Sequence, residues 1–451
     1  MMNPVHRSLH HPSRRSFLGA CAGVFGTAAS LAAQSAADYK ALVCVFLFGG
    51  NDGNNLIVPL DAPGYATYAK GRQNIALGAR ELLPVQAQGR AFGVHPGLAD
   101  LHKLYLEKRM AVVANVGMLV KPLTREEVMA PRAPLPRNLY SHSDQVQQWQ
   151  SSNPLGASAT GWLGRATDLL VPETDASAAP AFPAISFNGN SLLLTGLRTR
   201  PANFGGNGAY GLEGLGGGGR EDAARVSAIE KMMSMETGMT LMSAFGDVLA
   251  TGMRNAQELR RSFEGAPTLR TVFPQTGLAE QLKQVAQMIA LRQRLGARRQ
   301  VFILGQGGYD NHSNLLESQA GLFATLGPAL NAFYRATEEL AVANSVTLFT
   351  ETEFGRTFGP SSTAGSDHAW GNHQLVIGGA VKGGEMYGRF PDLTIQGPDD
   401  AGDRGYWIPS TPLDQYAAGL SSWFGVPGGE LGTILPNLVN FAGRSAPAFL
   451  G

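Results

Sequence analysis

Unbroken apolar runs, rather than alternating ones, punctuate this chain. Residues 41–48 (ALVCVFLF), 110–116 (MAVVANV), 300–304 (QVFIL), 346–349 (VTLF) and 374–377 (QLVI) each lack a clean polar face. Such runs suit strands buried on both sides of a parallel sheet. Helical spacing fills the intervals. Residues 97–108 put Leu98, Leu101, Leu104 and Tyr105 on one face, and 278–295 is amphipathic. Residues 313–342 read as a helix that could break at Gly327-Pro328, and 411–424 as a final helix. This alternation predicts the α/β class: a mostly parallel central sheet flanked by helices.

One stretch departs from the rhythm. Residues 203–219 are glycine-rich, and 221–263 carry helical spacing with Met232, Met233, Met235, Met239 and Met242. The methionines read as helix packing. Residues 190–270 are therefore expected to be a loop and helical insertion on a single domain spanning 38–451.

The first 37 residues read as a signal. Ser13-Arg14-Arg15-Ser16-Phe17-Leu18 is a twin-arginine motif, followed by a weakly apolar run to Leu31 and small residues through Ala37. Basic, apolar and small segments in that order mark an export peptide. Cys21 comes too early in the apolar run for a lipoprotein box, so cleavage is expected near Ala36 or Ala37. The expected partner is the twin-arginine translocation machinery, which would deliver a folded, soluble protein to the periplasm or beyond. No run is long enough for stable membrane insertion. The mature chain would keep only Cys44, which excludes an intrachain disulfide. Charge adds little: 36 basic residues against 35 acidic ones exclude a global nucleic-acid binder.

The chemistry-bearing residues follow the strands. Asp52 lies in the turn after the first run, and Asp310 and His312 after the run at 300–304. The run at 346–349 leads into Glu351, Glu353 and Arg356, then Asp367-His368 and His373. Open α/β sheets carry their chemistry at such strand ends. Mixed carboxylate and imidazole donors predict a divalent metal site built from Asp52, Asp310, His312, Asp367, His368 and His373. Zinc is the expected cation, because calcium or manganese would call for fewer imidazoles. Ser141 opens a helix, where a serine is either an N-cap or a nucleophile facing an anion. Arg356 either contacts a substrate oxygen or pairs with Glu351 or Glu353. His95 reads as a helix-entry or core histidine and His102 as a surface one.

The segments FLFGGNDGNNLIVP, VHPGLADL, YSHSDQ, GGYDNH, TETEFGRT and GSDHAWGNHQLVIGGAVKGG resemble the motifs of the twin-arginine-exported family called domain of unknown function 1501. The resemblance covers nearly all of the mature chain. It implies an alkaline phosphatase-like fold, since that family is placed in the alkaline phosphatase and sulfatase superfamily. It further implies that Asp52 is a first-strand metal ligand, that Asp310 and His312 form a D-x-H pair, and that Asp367-His368 is the adjacent Asp-His pair. His373 would be the remaining histidine and Ser141 the position that begins the nucleophile helix. The implied activity is metal-dependent hydrolysis of a phosphate or sulfate ester, on a small molecule or polymer, with two cations clamping the ester and Ser141 attacking in line. The alternative is a non-catalytic member that binds, assembles or exports cell-surface material.

Overall fold

Strands without a polar face need cover on both sides, and the computed structural model shows how they obtain it. It describes residues 38–171, 182–204, 220–233, 266–443 and 446–451, with scattered positions between 246 and 263. The twin-arginine segment lies outside the described residues, as do Met235, Met239 and Met242. No helix among the described residues is long and apolar enough to cross a membrane.

The strands in chain order are β1 (Lys40–Leu47), β2 (Ile57–Pro59), β3 (Leu83–Ala87), β4 (Arg90–Val94), β5 (Met110–Gly117) and β6 (Ala184–Ser186). They continue with β7 (Ala202–Asn203), β8 (Arg299–Gln306), β9 (Val346–Glu351), β10 (Asn372–Gly378), β11 (Met386–Tyr387) and β12 (Thr411–Pro412). The central sheet has the order β11-β5-β10-β9-β1-β8-β6-β7, with β12 also on β5, and β2-β4-β3 form a small antiparallel sheet. β1 runs parallel to both β8 and β9, whereas β10 is antiparallel to β9 and β5. The sheet is thus mixed but mostly parallel.

Helices cover both faces. Leu42, Cys44 and Phe46 of β1 share one buried cluster with Val301, Ile303, Phe349, Trp149, Trp162 and the helix Leu413–Phe424. Across the sheet, the helices Ala99–Leu106, Gly277–Ala290 and Leu315–Glu339 pack on one another and against β5 and β8. The last of these runs unbroken through Pro328. Phe323, Leu326, Leu330 and Phe333 of that helix are all buried, and this packing outweighs the lost hydrogen bond at the proline. Within 190–270 the structure has a sheet strand, β7, as well as the helix Arg220–Met233, so the stretch is not wholly an insertion outside the sheet.

Because β9, β1 and β8 are adjacent and parallel, the chain leaves all three at the same edge. The loops after them are therefore neighbours. This edge positions the site.

Candidate metal centre

Three segments deliver the core of the site. Asp310 follows β8, His368 lies between β9 and β10, and His142 begins the helix His142–Ser151. One ligand atom from each of these three residues lies within 4.8 Å of the others. Asp310 Oδ2 is 3.5 Å from His142 Nε2, and Asp310 Oδ1 is 3.1 Å from His368 Nε2. The loops can meet this closely because of their glycines. Gly49 sits at φ +114°, and a Cβ there would lie 2.4 Å from the backbone nitrogen of Asp310. Gly365 has no such φ, yet a Cβ on it would fall 2.0 Å from the His312 carbonyl carbon.

Each imidazole is held from behind. His142 Nδ1 meets Glu353 Oε1 at 2.8 Å, and the Glu353 side chain is 2% exposed. His368 Nδ1 donates to the backbone oxygen of Tyr140 at 2.9 Å, and its ring stacks on Phe354 at 4.6 Å. Burial pushes the His368 imidazole below its ordinary pKa, towards the neutral form that ligates metals. Burial acts to raise the Asp310 pKa, but the Arg356 guanidinium outweighs it and holds the carboxyl at about 2.

A second pair stands beside this set. His312 Nε2 is 2.9 Å from Asp310 Oδ1 and 3.1 Å from His368 Nε2, while its Nδ1 meets Asp367 Oδ1 at 3.1 Å. Arg404 bonds the other Asp367 oxygen. Burial raises the Asp367 pKa, but Arg404 and His312 together bring it below the ordinary carboxylate value. Tyr140, His312, Asp367, His368, Gly402 and Tyr406 line most of an open depression of about 440 Å³.

The structure therefore brings together Asp310, His312, Asp367 and His368. It does not bring Asp52 or His373 to them. Asp52 is buried against Arg72, its Oδ1 accepting from Asn54 and its Oδ2 from Arg72. His373 accepts the Asn115 N–H at 3.1 Å and stacks on Phe390 at 4.9 Å, and burial drives its pKa to about 3. Ser141 does begin a helix, but its hydroxyl donates to Asp144 Oδ2 at 2.6 Å and caps the Asp144 N–H. Arg356 pairs with neither Glu351 nor Glu353. Its side chain is 0% exposed and donates to the carbonyls of Gly49, Gly50, Tyr309 and Ser366 as well as to Asp310. It fastens three loops together and has no face for a substrate.

Sequence reading missed His142, Glu353 as its partner, and Arg404. The signal was present at Ser141-His142: in a capped helix the residue after the cap projects at the open end, and here it projects over the sheet edge. His95 caps the turn at Gly97 and packs edge-on against Phe323, and His102 bonds the Pro84 carbonyl at 2.9 Å.

Fold and site together define an α/β protein with a candidate centre for one cation at the carboxyl edge of its parallel strands. The chain belongs to the family described as protein of unknown function (DUF1501), whose model matches residues 39–400. No curated protein matches the chain. Among solved structures, it is similar to the PsFucS1 sulfatase from Pseudoalteromonas sp., with 10% identity over 88% of this chain and 70% of that one and a TM-score of 0.33. It is likewise similar to Ps i-CgsB in complex with k-i-k-neocarrahexaose, with 9% identity over 88% and 76% and a TM-score of 0.34. Likeness at this level carries no argument about activity.

Proposed function

We propose that this chain is an exported, metal-dependent hydrolase of phosphate or sulfate esters, working at the His142–Asp310–His368 cluster. One observation carries the reading: two imidazoles and a carboxylate, from three distant segments, converge within 4.8 Å beside an open depression. That donor set suits a borderline cation such as zinc. The hydrogen bonds behind the rings are those that metal-binding histidines use to fix their orientation and tautomer. With the proton on Nδ1 facing Glu353, His142 keeps its Nε2 lone pair for a cation. His368 does the same through the Tyr140 carbonyl.

A divalent cation held there supplies Lewis acidity to an ester oxygen. The chain's own residues do the rest. Asp310 stays ionised through Arg356 and keeps Oδ2 on the side of His142. Asp367, anchored by Arg404, holds the Nδ1 proton of His312 and turns its Nε2 towards Asp310 and His368, where it could join them around the cation. The alkaline phosphatase-like assignment and the export route rest on the family motifs and the twin-arginine segment.

Elemental analysis of protein recovered from the periplasm, followed by a screen of phosphomonoesters, phosphodiesters and sulfate esters, tests this reading. The expected result is near-stoichiometric metal and turnover that a chelator abolishes and zinc restores. Metal-free protein that is inert on every ester after zinc addition refutes it.

A second reading, a non-catalytic binding or assembly protein, is favoured by the placement of Ser141. Its hydroxyl is bonded to Asp144, and Cys44 lies in the core. On this reading the cluster still holds metal but the ester screen is blank.

A further inference from the structure

Besides the side chains of the cluster, two tyrosines line the depression. Tyr140 and Tyr406 stand with ring centroids 5.6 Å apart and planes at 57° to one another. Among the described residues, neither phenol hydroxyl has a hydrogen-bond partner. Tyr140 is 40% exposed. Its backbone carbonyl also holds His368, so Tyr140 joins the depression to the cluster.

The segment carrying Tyr406 is unusually well fixed for a surface loop. Asp400 is 0% exposed, and its two oxygens accept the backbone N–H groups of Gln396, Gly402, Gly405 and Tyr406 at 2.8–3.1 Å. Arg125 donates to the Asp400 and Gly402 carbonyls from the other side. A buried carboxylate satisfied by four backbone donors makes the loop a frame rather than a lid. Gly402 and Tyr406 are thus presented to the depression in a fixed geometry.

We propose that Tyr140 and Tyr406 form the subsite for the alcohol half of the ester, and that this half is a hydroxylated ring of the hexose type. The argument is chemical. Two aromatic faces set at an angle offer apolar contact to the C–H face of a puckered ring, while their unpartnered hydroxyls offer hydrogen bonds at its edge. Asp367 and His312 line the same space and add polar groups on the cluster side. A flat aryl ring with one hydroxyl offers a single face and a single polar edge, and so meets only part of this aromatic and polar lining. The volume, about 440 Å³, falls within the rough 300–1,000 Å³ range of small-molecule pockets.

The inference rests on the hydrolase reading for the word ester, but ring binding is measurable without turnover. The experiment is saturation-transfer NMR of the full mature chain with neutral, unesterified methyl hexopyranosides, and with cyclohexanol and phenol as rings without the hydroxyl set. Metal content is followed in parallel. Wild type is expected to bind at least one hexoside more tightly than either control ring. Tyr406→Ala should weaken that binding by about tenfold and Tyr406→Phe by about threefold, with metal content unchanged in both. Absence of transfer to every hexoside overturns the proposal, as does binding indifferent to Tyr406→Ala, or equal binding of phenol. Hexoside binding by a protein inert on every ester upholds the subsite while sinking the hydrolase. Turnover without hexoside binding does the reverse.

Discussion

Glu353 Oε1 accepts two protons at once, from His142 Nδ1 at 2.8 Å and from the Gly49 backbone at 2.8 Å. One buried oxygen therefore ties the turn after β1 to the histidine at the helix start. It fixes where His142 Nε2 points. If His142 ligates a cation, Glu353→Ala should lower zinc affinity by about 10- to 100-fold. Competition against a calibrated chelator measures this. Unchanged affinity would mean that His142 is not a ligand.

Ser141 and His142 are neighbours with opposite expected phenotypes. Ser141→Ala should cost about 1 kcal/mol of stability, the usual effect of losing an N-cap. Metal content and ester turnover should both persist. His142→Ala should lose the metal and the stabilisation the cation gives, so that it melts like metal-stripped wild type. A Ser141→Ala protein that keeps its metal but loses several orders of magnitude in rate would instead establish the serine as a nucleophile.

Removing Arg356 should be structural in its effect. Arg356→Ala leaves the Gly49, Gly50, Tyr309 and Ser366 carbonyls and the Asp310 carboxylate without their shared donor. A loss on the order of 3–5 kcal/mol is expected, read by denaturant titration. Arg356→Lys should recover only part of it, because an ammonium cannot reproduce the planar fork. Full stability in either variant would remove Arg356 from its fastening role.

Asp414 sets a pH dependence of stability. Burial raises its carboxyl to about 6, against the opposing pull of Ser152, Asn437 and Arg165. The folded state therefore holds a proton that the unfolded chain releases at a lower pH. The stabilisation is complete below the unfolded value of roughly 4 and is lost as pH rises through about 6, by an amount on the order of 3 kcal/mol. Asp414→Asn should flatten the melting-temperature profile between pH 4 and 6. A wild-type profile that instead climbs through that window because of Asp414 would contradict the burial argument.

Replacing Arg14-Arg15 by Lys-Lys should leave the protein in the cytoplasm. Cell fractionation with an antibody to the mature chain reads the outcome. Normal export of the variant would refute the twin-arginine route.

The main sheet strands were legible because apolar runs bounded by glycine turns leave few alternatives. The runs at 41–48, 110–116, 300–304, 346–349 and 374–377 correspond to β1, β5, β8, β9 and β10. The reversal of β10 was not legible, since a run buried on both faces carries no direction. Nor could the pattern show that Pro328 would be tolerated, because that depends on packing against the turn at Gly97 and Leu98. Among site residues, Asp310, His312, Asp367 and His368 follow strands, and position alone pointed to them. Asp52 obeys the same rule but faces Arg72, a partner supplied by the helix Ala62–Arg72 that sequence spacing does not connect to it. His142 was hidden for the opposite reason. It sits on a helix rather than after a strand, and its contact with Glu353 spans 211 residues.

That long span bears on when a cation can enter. The turn after β1 and Glu353 are 304 residues apart, and neither end of the cluster exists until β8, β1 and β9 lie side by side. Closing loops of this length costs entropy that only the assembled sheet repays. A partly folded chain therefore presents scattered single donors of low affinity, while the finished one presents all three together. If the proposed cation binds there, metal occupancy would report on completed assembly, and the bound ion would bias the chain against reopening by mass action. If the chain is exported folded, as the twin-arginine segment proposes, such an ion would serve as a seal of readiness.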